Sequence, residues 1–266
     1  MTVGERRARF RELHAAEGIF VMPNAWDEGS ARLLAWSGFD AIATTSAGFA
    51  WTLGRNDQNV TLDELVTHVE RLSAATDLPL SVDSERLFAP DPAGVAETVR
   101  LLAAAGAAGC SIEDYDPATG RIDPIHVAAE RVAAAAAAAH AGEPMVLTAR
   151  AENHLHGVDD LDDTIARLVA YETAGADAVY APGLTDPADI RAVVTAVSVP
   201  VNVLALPDTP AVAELGQLGV RRVSTGSLLA SAAYGALLAG ARELRTQGSS
   251  DYARAGLPRD VRTAAF

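Results

Sequence analysis

The chain has 266 residues, 49% of them apolar, and a formal charge of −14. That length suits one large α/β domain with a sizeable core, and the negative balance argues against a nucleic-acid or anionic-membrane partner. Apart from histidine every basic residue is Arg, so Schiff-base chemistry on a side-chain amine is excluded.

The first segment, MTVGERRARFRELHAAEG, is charged and helical in pattern. It resembles neither a signal peptide nor a transit peptide. Short apolar runs then recur at intervals: IFVMPN (19–24), AIATTS (41–46), LPLSVDSE (78–85) and GCSIED (109–114). PMVLTAR (144–150), AVYAPG (178–183), VPVNVLA (199–205) and VRRVSTG (220–226) follow. Each reads as a buried strand, and the stretches between them carry helical periodicity. Thr61 with Glu64 makes a capping box, and Asp91-Pro92, Asp123-Pro124 and Asp186-Pro187 each open a helix. Gly closes several helices before the next strand. Such a βα repeat, with no composition break and no G-x-G-x-x-G turn after the first strand, predicts a (β/α)₈ TIM barrel over residues 1–245. Residues 246–266, polar and broken by Gly and Pro, read as a tail or exchange arm. No apolar run approaches a membrane span. The single cysteine, Cys110, lies in the apolar run AAGCSI and reads as a buried structural thiol, which fits a reducing cytoplasm.

A barrel gathers the C-terminal ends of its strands at one mouth. Ser46, Asp83, Glu85, Glu113, Arg150 and Asn202 all fall at such ends. A charged residue closing a buried strand is costly unless it has a partner, and neighbouring carboxylates repel one another unless a cation neutralises them. Asp83 and Glu85, one residue apart, can point to the same side of their strand, and Glu113 comes from the next strand along. Hard oxygen donors with no Cys beside them predict Mg²⁺ or Mn²⁺. Arg150 is expected either to anchor an anionic substrate or to pair with Glu152 or Glu113. The loop TTSAG (44–48) offers N–H groups and the Ser46 hydroxyl to an oxyanion. Tyr180 could stack on or bond a ligand. STGS (224–227) has the look of a phosphate-binding turn, a pattern shared by any helix N-terminus. His154 and His156 make no complete metal site, and Asp114 and Asp116 read as salt-bridge or capping residues.

Over residues 10–245 the chain resembles the isocitrate lyase and phosphoenolpyruvate mutase superfamily. The passages that carry the resemblance are PNAWDEGSARLLAWSGFDAIATTSAG, LPLSVDSE, AAGAAGCSIED, VLTARAEN, YETAGADAVYAPG and PVNVLA. It implies a (β/α)₈ barrel, Mg²⁺ dependence, and a 2-oxo acid substrate or an enolate of one. It further implies Asp83, Glu85 and Glu113 as metal-binding acids, with Asp57 as an outer contributor. Ser46, Ala47 and Gly48 match the loop that holds the substrate, and Arg150 matches the substrate-binding arginine. Tetramers built from dimers, with an exchanged eighth helix, are also implied.

The departures narrow the chemistry. The loop EDYDPATGRIDP lacks the Lys and Cys of the K-K/R-C-G-H segment of the isocitrate and methylisocitrate lyases, and lacks the Lys of phosphoenolpyruvate mutases. The usual D-x-D-T-G-Y-G has become DSERLFAP, which is expected to give the mouth an apolar wall of Leu87 and Phe88. The expectation is therefore a metal-dependent C–C lyase of the oxaloacetate-decarboxylase kind, working through a metal-stabilised enolate, with water or Tyr180 supplying the final proton. Two rival readings are a P–C mutase or hydrolase of phosphonate metabolism and a non-catalytic ligand-binding or assembly barrel. A homo-oligomer, dimer or tetramer, is expected.

Overall fold

The structure is a computed structural model describing residues 1–266. It opens with helix α1 (Val3–Ala15) and the consecutive segments β1 (Phe20–Met22) and β2 (Asn24–Ala25). Then come α2 (Glu28–Trp36), β3 (Ile42–Thr44), α3 (Ser46–Thr52), α4 (Leu62–Ala75), β4 (Leu80–Val82), α5 (Pro92–Ala104) and β5 (Gly109–Glu113). A small hairpin, β6 (Tyr115–Asp116) with β7 (Arg121–Ile122), precedes α6 (Ile125–Ala139), β8 (Val146–Arg150), α7 (Leu161–Thr173) and β9 (Ala178–Tyr180). The chain finishes through α8 (Pro187–Ala196), β10 (Val201–Leu204), α9 (Val212–Leu218), β11 (Arg222–Ser224), α10 (Leu228–Gln247) and α11 (Arg259–Ala265).

The main sheet is parallel, in the order β1-β11-β10-β9-β8-β5-β4-β3-β2. Its two ends, β1 and β2, are consecutive halves of one strand split at Pro23, whose ring removes the N–H that would continue the ladder. The Pro23 carbonyl still accepts from Ala43 N–H, so the ring closes through this strand. The result is the expected (β/α)₈ barrel. The helix starts follow the sequence: Thr61 and Glu64 form a reciprocal capping box, and Asp91 and Asp186 accept from first-turn N–H groups. Asp123 is the exception. Pro124 begins α6 without a side-chain cap, because the Asp123 carboxylate is taken by Arg86 at 2.7 Å.

The principal core lies between the sheet and its helices, around Leu72, Leu102, Leu147 and Leu168. A second cluster fills the floor of the barrel, where Phe10 of α1 meets Phe20, Met22, Ala43 and Val146. Gly109 admits this plug, since a Cβ there would sit 2.7 Å from the Phe10 ring and from the Val146 carbonyl oxygen. The helix is fixed in place by two buried arginines: Arg6 donates to the carbonyls of Ser73 and Thr76, and Arg7 to those of Ala107 and Ala103. Beyond α10 the chain folds back, with Tyr252 against Gly240 and α11 beside α2. No helix is long and apolar enough to cross a membrane.

Candidate active site

Above the apolar floor the barrel interior turns polar. Registered pairs on neighbouring strands point to the same side, and one interior row holds Arg150, Tyr180, Asn202 and Arg222. Ser81, Ser111, Thr148 and Ser224 also face inward, and these short side chains leave a cavity of about 170 Å³ open to the mouth. Ser46, Ala47, Asp57, Asp83, Arg150, Tyr180 and Asn202 line it, as expected from the sequence.

Asp83 is the hub. It follows β4 directly, and its own N–H donates to Thr44 Oγ1 at 2.8 Å. Its Oδ2 accepts from Ser46 N–H at 3.0 Å, and its Oδ1 accepts from Arg150 Nη1 at 2.7 Å and from Ser111 Oγ at 3.4 Å. Arg150 ends β8 and is nearly enclosed. Its Nε donates to Glu152 at 2.7 Å, its Nη2 lies 3.4 Å from Glu113, and its guanidinium carbon sits 5.3 Å from the centre of the Tyr180 ring. Burial alone would lower the Arg150 pKa, but Glu152, Asp83 and Glu113 outweigh it and hold the group firmly charged. Of the two roles foreseen for Arg150, the structure shows the pairing with Glu152 and Glu113, and it also sets the side chain on the cavity wall.

Glu113 closes β5, fully enclosed, with Oε1 accepting from Gln58 Nε2 at 2.8 Å. Burial pushes its pKa well above the usual carboxylate range, against the pull of Arg150. Burial, then the Asp83 carboxylate, raises Asp57, opposed by the Ser46 hydroxyl. Glu85 reaches about 8 through burial and the charges of Asp83 and Asp57, and its Oε1 has no hydrogen-bond partner.

Glu85 nonetheless does not line the cavity; it faces a separate groove with Arg86, Phe88 and Asp116. The cause is local backbone. Glu85, Leu87 and Phe88 all have positive φ, at 47°, 60° and 52°, in a turn where glycine would be unstrained. That turn also corrects the expected apolar wall. Leu87 is driven inward until fully buried in the core, and Phe88 packs beside it rather than over the mouth. Leu155, Leu204 and Pro182 supply the apolar lining instead. Glu113 does not line the cavity, since it lies in a separate recess with Arg150 and Tyr171, and Gly48 does not line it either. Its N–H returns to Thr45 Oγ1 at 3.3 Å, and a Cβ there would collide with Thr45 and Trp26.

Other features take their plainer reading. His156 stacks on Tyr115 at 3.6 Å, and His154 Nε2 lies 3.2 Å from Thr164 Oγ1. Asp114 binds Tyr171 and Arg167, and Asp116 caps its own hairpin turn. The N–H groups of Thr225 and Gly226 are occupied by Asn24 Oδ1, both at 2.9 Å. Cys110 is buried with its thiol pushed up to about 12, too high for a nucleophile at neutral pH.

Sequence reasoning missed two residues of this interior. Arg222 donates to Asn202 Oδ1 and Thr148 Oγ1, both at 2.9 Å, and its Nη1 lies 3.0 Å from His14 Nε2. The alternation of a strand could have found it, because one of two adjacent arginines in VRRVS must point inward. His14 arrives from α1, whose docking under the barrel leaves no mark in the local sequence.

No three acidic, histidine or cysteine side chains converge as they stand into a group able to hold a metal. The chemistry of the set still fits a divalent cation. Asp83, Glu113 and Glu152 pair with Arg150, Asp57 and Glu85 lie close enough to feel its charge, and the unpartnered Glu85 oxygen is a hard donor without a ligand.

Comparison with known proteins agrees with the barrel fold. The family model for phosphoenolpyruvate phosphomutase matches residues 10–245. An uncharacterized protein of Mycobacterium tuberculosis (strain ATCC 25618 / H37Rv) is 35% identical over 224 residues, covering 84% of this chain and 83% of that one. The oxaloacetate decarboxylase of Paraburkholderia xenovorans (strain LB400) is 34% identical over 235 residues, covering 84% of this chain and 75% of that one. The solved structure of a "putative lyase/mutase" from Burkholderia cenocepacia J2315 superposes with a TM-score of 0.94 at 49% identity, covering 98% of this chain and 95% of that one.

Proposed function

The chain belongs to the phosphoenolpyruvate phosphomutase family, within the PEP mutase/isocitrate lyase superfamily, and we propose that it is a Mg²⁺- or Mn²⁺-dependent C–C lyase that decarboxylates a small, oxaloacetate-like 2-oxo acid through an enolate. The observation that carries this reading is the Asp83–Arg150 pair at the mouth of a small polar cavity, with the buried carboxylates of Glu113 and Glu152 against the same guanidinium. The named activity of the Paraburkholderia relative supports the same choice.

Asp83 and Asp57, which line the cavity, with Glu113 behind them, would hold the cation, which when bound supplies Lewis-acid withdrawal of electrons from the 2-oxo group. The protein's own groups do the rest. Arg150 sits beside the carboxylates with its guanidinium pre-oriented by three of them, and it stabilises negative charge gathering on the 2-oxo oxygen. Ser46 and Ala47 bound the same space from the start of α3, and the Asp83 carboxylate fixes the Ser46 N–H. Decarboxylation needs no base beforehand: the C–C bond breaks, CO₂ leaves, and the electron pair stays on the enolate. Tyr180 or a water then returns one proton to carbon. Burial raises the Tyr180 pKa and keeps its phenol protonated at neutral pH, so it remains a proton donor. Asn202, tied to Ser224 and Arg222, shapes the inner wall.

The proposal includes a homo-oligomer, dimer or tetramer, in which α10 is covered or exchanged. Leu237 and Leu238 on that helix are 64% and 66% exposed, an apolar surface unusual for an isolated chain. A cytoplasmic setting completes it, in keeping with the single reduced, buried Cys110.

The test is pyruvate or 2-oxo-acid release from oxaloacetate, alkyl-substituted oxaloacetates, methylisocitrate and phosphonopyruvate, with Mg²⁺ and with chelator. Turnover of the oxaloacetates that chelator and Asp83→Ala both abolish is the expected result. Phosphate release from phosphonopyruvate alone, or silence across the panel, would sink the decarboxylase reading.

A further inference from the structure

The mouth of the cavity has two unlike sides. Asp83 follows β4, and Ser46 and Asp57 come from the chain after β3. The facing rim is apolar, where Leu155, Pro182 and Leu204 line the same cavity. Strand order fixes the opposition. With β1 and β2 counted as one strand, β10 lies four places from β4 in either direction round the barrel, and β9 lies four places from β3. Alternation puts two of the apolar residues inside. Tyr180 and Asn202 are registered neighbours facing the interior, and Pro182 and Leu204 each stand two residues further on, so the same face carries them to the rim.

Leu155 joins them from the turn after β8. A Cβ at Gly183 would sit 2.9 Å from His154 Cβ and 3.6 Å from Leu155 Cδ2, so glycine there lets this turn close against the segment that follows β9. Leu204 leans along the rim in its turn, its Cδ1 3.1 Å from where a Cβ of Gly226 would stand. A leucine that is 51% exposed is ordinary on a surface, but this one is held in position. Asn153 Nδ2 donates to Asp163 at 2.8 Å, and His156 stacks on Tyr115, so the turn is tied on both sides of Leu155. An apolar side chain fixed at the edge of a polar cavity offers a ligand buried area at little ordering cost.

We propose that Leu155, Pro182 and Leu204 form a specificity shelf for an alkyl substituent on carbon 3 of the substrate. The inference rests on the lyase reading above and deepens it. In a short 2-oxo diacid both carboxylates and the oxo group are polar, and they belong on the side of Asp83 and Arg150. Carbon 3 alone has valences left for an apolar group. With the polar groups against β4, that group faces β10 across the mouth. The substrate class is then a 3-alkyl 2-oxo diacid rather than oxaloacetate itself. The bond from carbon 3 to its carboxylate breaks, CO₂ leaves, the electron pair stays as the enolate, and one proton returns to carbon 3. The product is a 2-oxo acid longer than pyruvate by the alkyl group.

The experiment measures calorimetric binding of pyruvate, 2-oxobutyrate and 2-oxopentanoate with Mg²⁺ present, a series that lengthens the chain at carbon 3 one carbon at a time. In wild type each added carbon should tighten binding about fourfold, the worth of one buried methylene. Leu155→Asn and Leu204→Asn should each reduce that step to about twofold or less. Leu101→Asn, at an exposed leucine on α5, should leave it intact. A merely structural role for the shelf would weaken all three acids together and keep the gradient, so a gradient that survives both shelf substitutions overturns the proposal. Loss of the gradient in Leu101→Asn overturns it as well. A flat series in wild type does so whether or not any variant folds. The lyase reading fails separately: an intact gradient with no turnover of any 3-alkyl oxaloacetate would leave the shelf standing and remove the reaction.

Discussion

His14 gives the account a quantitative handle on the barrel interior. Its Nδ1 lies 2.8 Å from the Phe10 carbonyl, which can only accept, and its Nε2 faces Arg222 Nη1, which can only donate. The neutral Nδ1–H tautomer is therefore enforced, and a second proton would set an N–H against a guanidinium. Burial first, and Arg222 second, lower its pKa to about 3 from 6.5. Because the folded pKa lies below the unfolded one, the unfolded chain binds more protons between those values. Stability from neutral His14 is thus complete above pH 6.5 and is lost as pH falls toward 3. At pH 5.0 the loss is about 2 kcal/mol, from roughly 1.5 pH units at 1.36 kcal/mol each. Wild type alone does not isolate this, since the raised carboxylates Glu85 and Glu113 act in the opposite direction over the same range. The difference between wild type and His14→Gln does. Urea unfolding followed by tryptophan fluorescence should show a stability gap smaller at pH 5.0 than at pH 7.5 by about 2 kcal/mol. A gap equal at both pH values within about 0.5 kcal/mol would refute the enforced neutral tautomer.

Three further outcomes follow from the geometry. Asp83→Ala should lower kcat by about 10²-fold or more, since it frees Ser46 N–H and Arg150 together, while circular dichroism stays native; near-normal turnover would remove Asp83 from the site. Gly109→Ala should cost about 1–3 kcal/mol by forcing Phe10 away from the barrel floor, seen as a Tm lower by roughly 3–10 °C; an unchanged Tm would mean that α1 does not seal the floor. Leu237→Glu with Leu238→Glu should shift the light-scattering mass to that of a single chain without loss of helicity. If wild type is already a single chain, the oligomer proposal fails.

The sequence and the structure agree where cost alone dictates placement. Asp83, Glu113 and Arg150 close buried strands, and charges there must meet one another at a barrel mouth, as they do. The helix caps at Thr61, Asp91 and Asp186 were legible for the same local reason. Glu85 was not. Alternation predicts that it shares a face with Asp83, but three non-glycine residues at positive φ turn the chain and carry it into another groove. The inward turn of Leu87 belongs to the same event, and nothing in the composition of DSERLFAP announces it. Arg222 was half-legible, from the strand period but not from any motif. Its contact with His14 spans 208 residues of chain and depends on α1 docking through Arg6 and Arg7, whose burial no amphipathic pattern foretells.

The central claim is that this cavity stabilises the enolate of a 2-oxo acid, and exchange of the pyruvate methyl protons with solvent tests it without knowledge of the natural substrate. Protein, Mg²⁺ and pyruvate in D₂O would be followed by proton NMR, with Asp83→Ala as control. The account predicts loss of the methyl signal well above the buffer rate, abolished by the substitution and by chelator. A methyl signal that persists at the buffer rate while pyruvate is bound would contradict it.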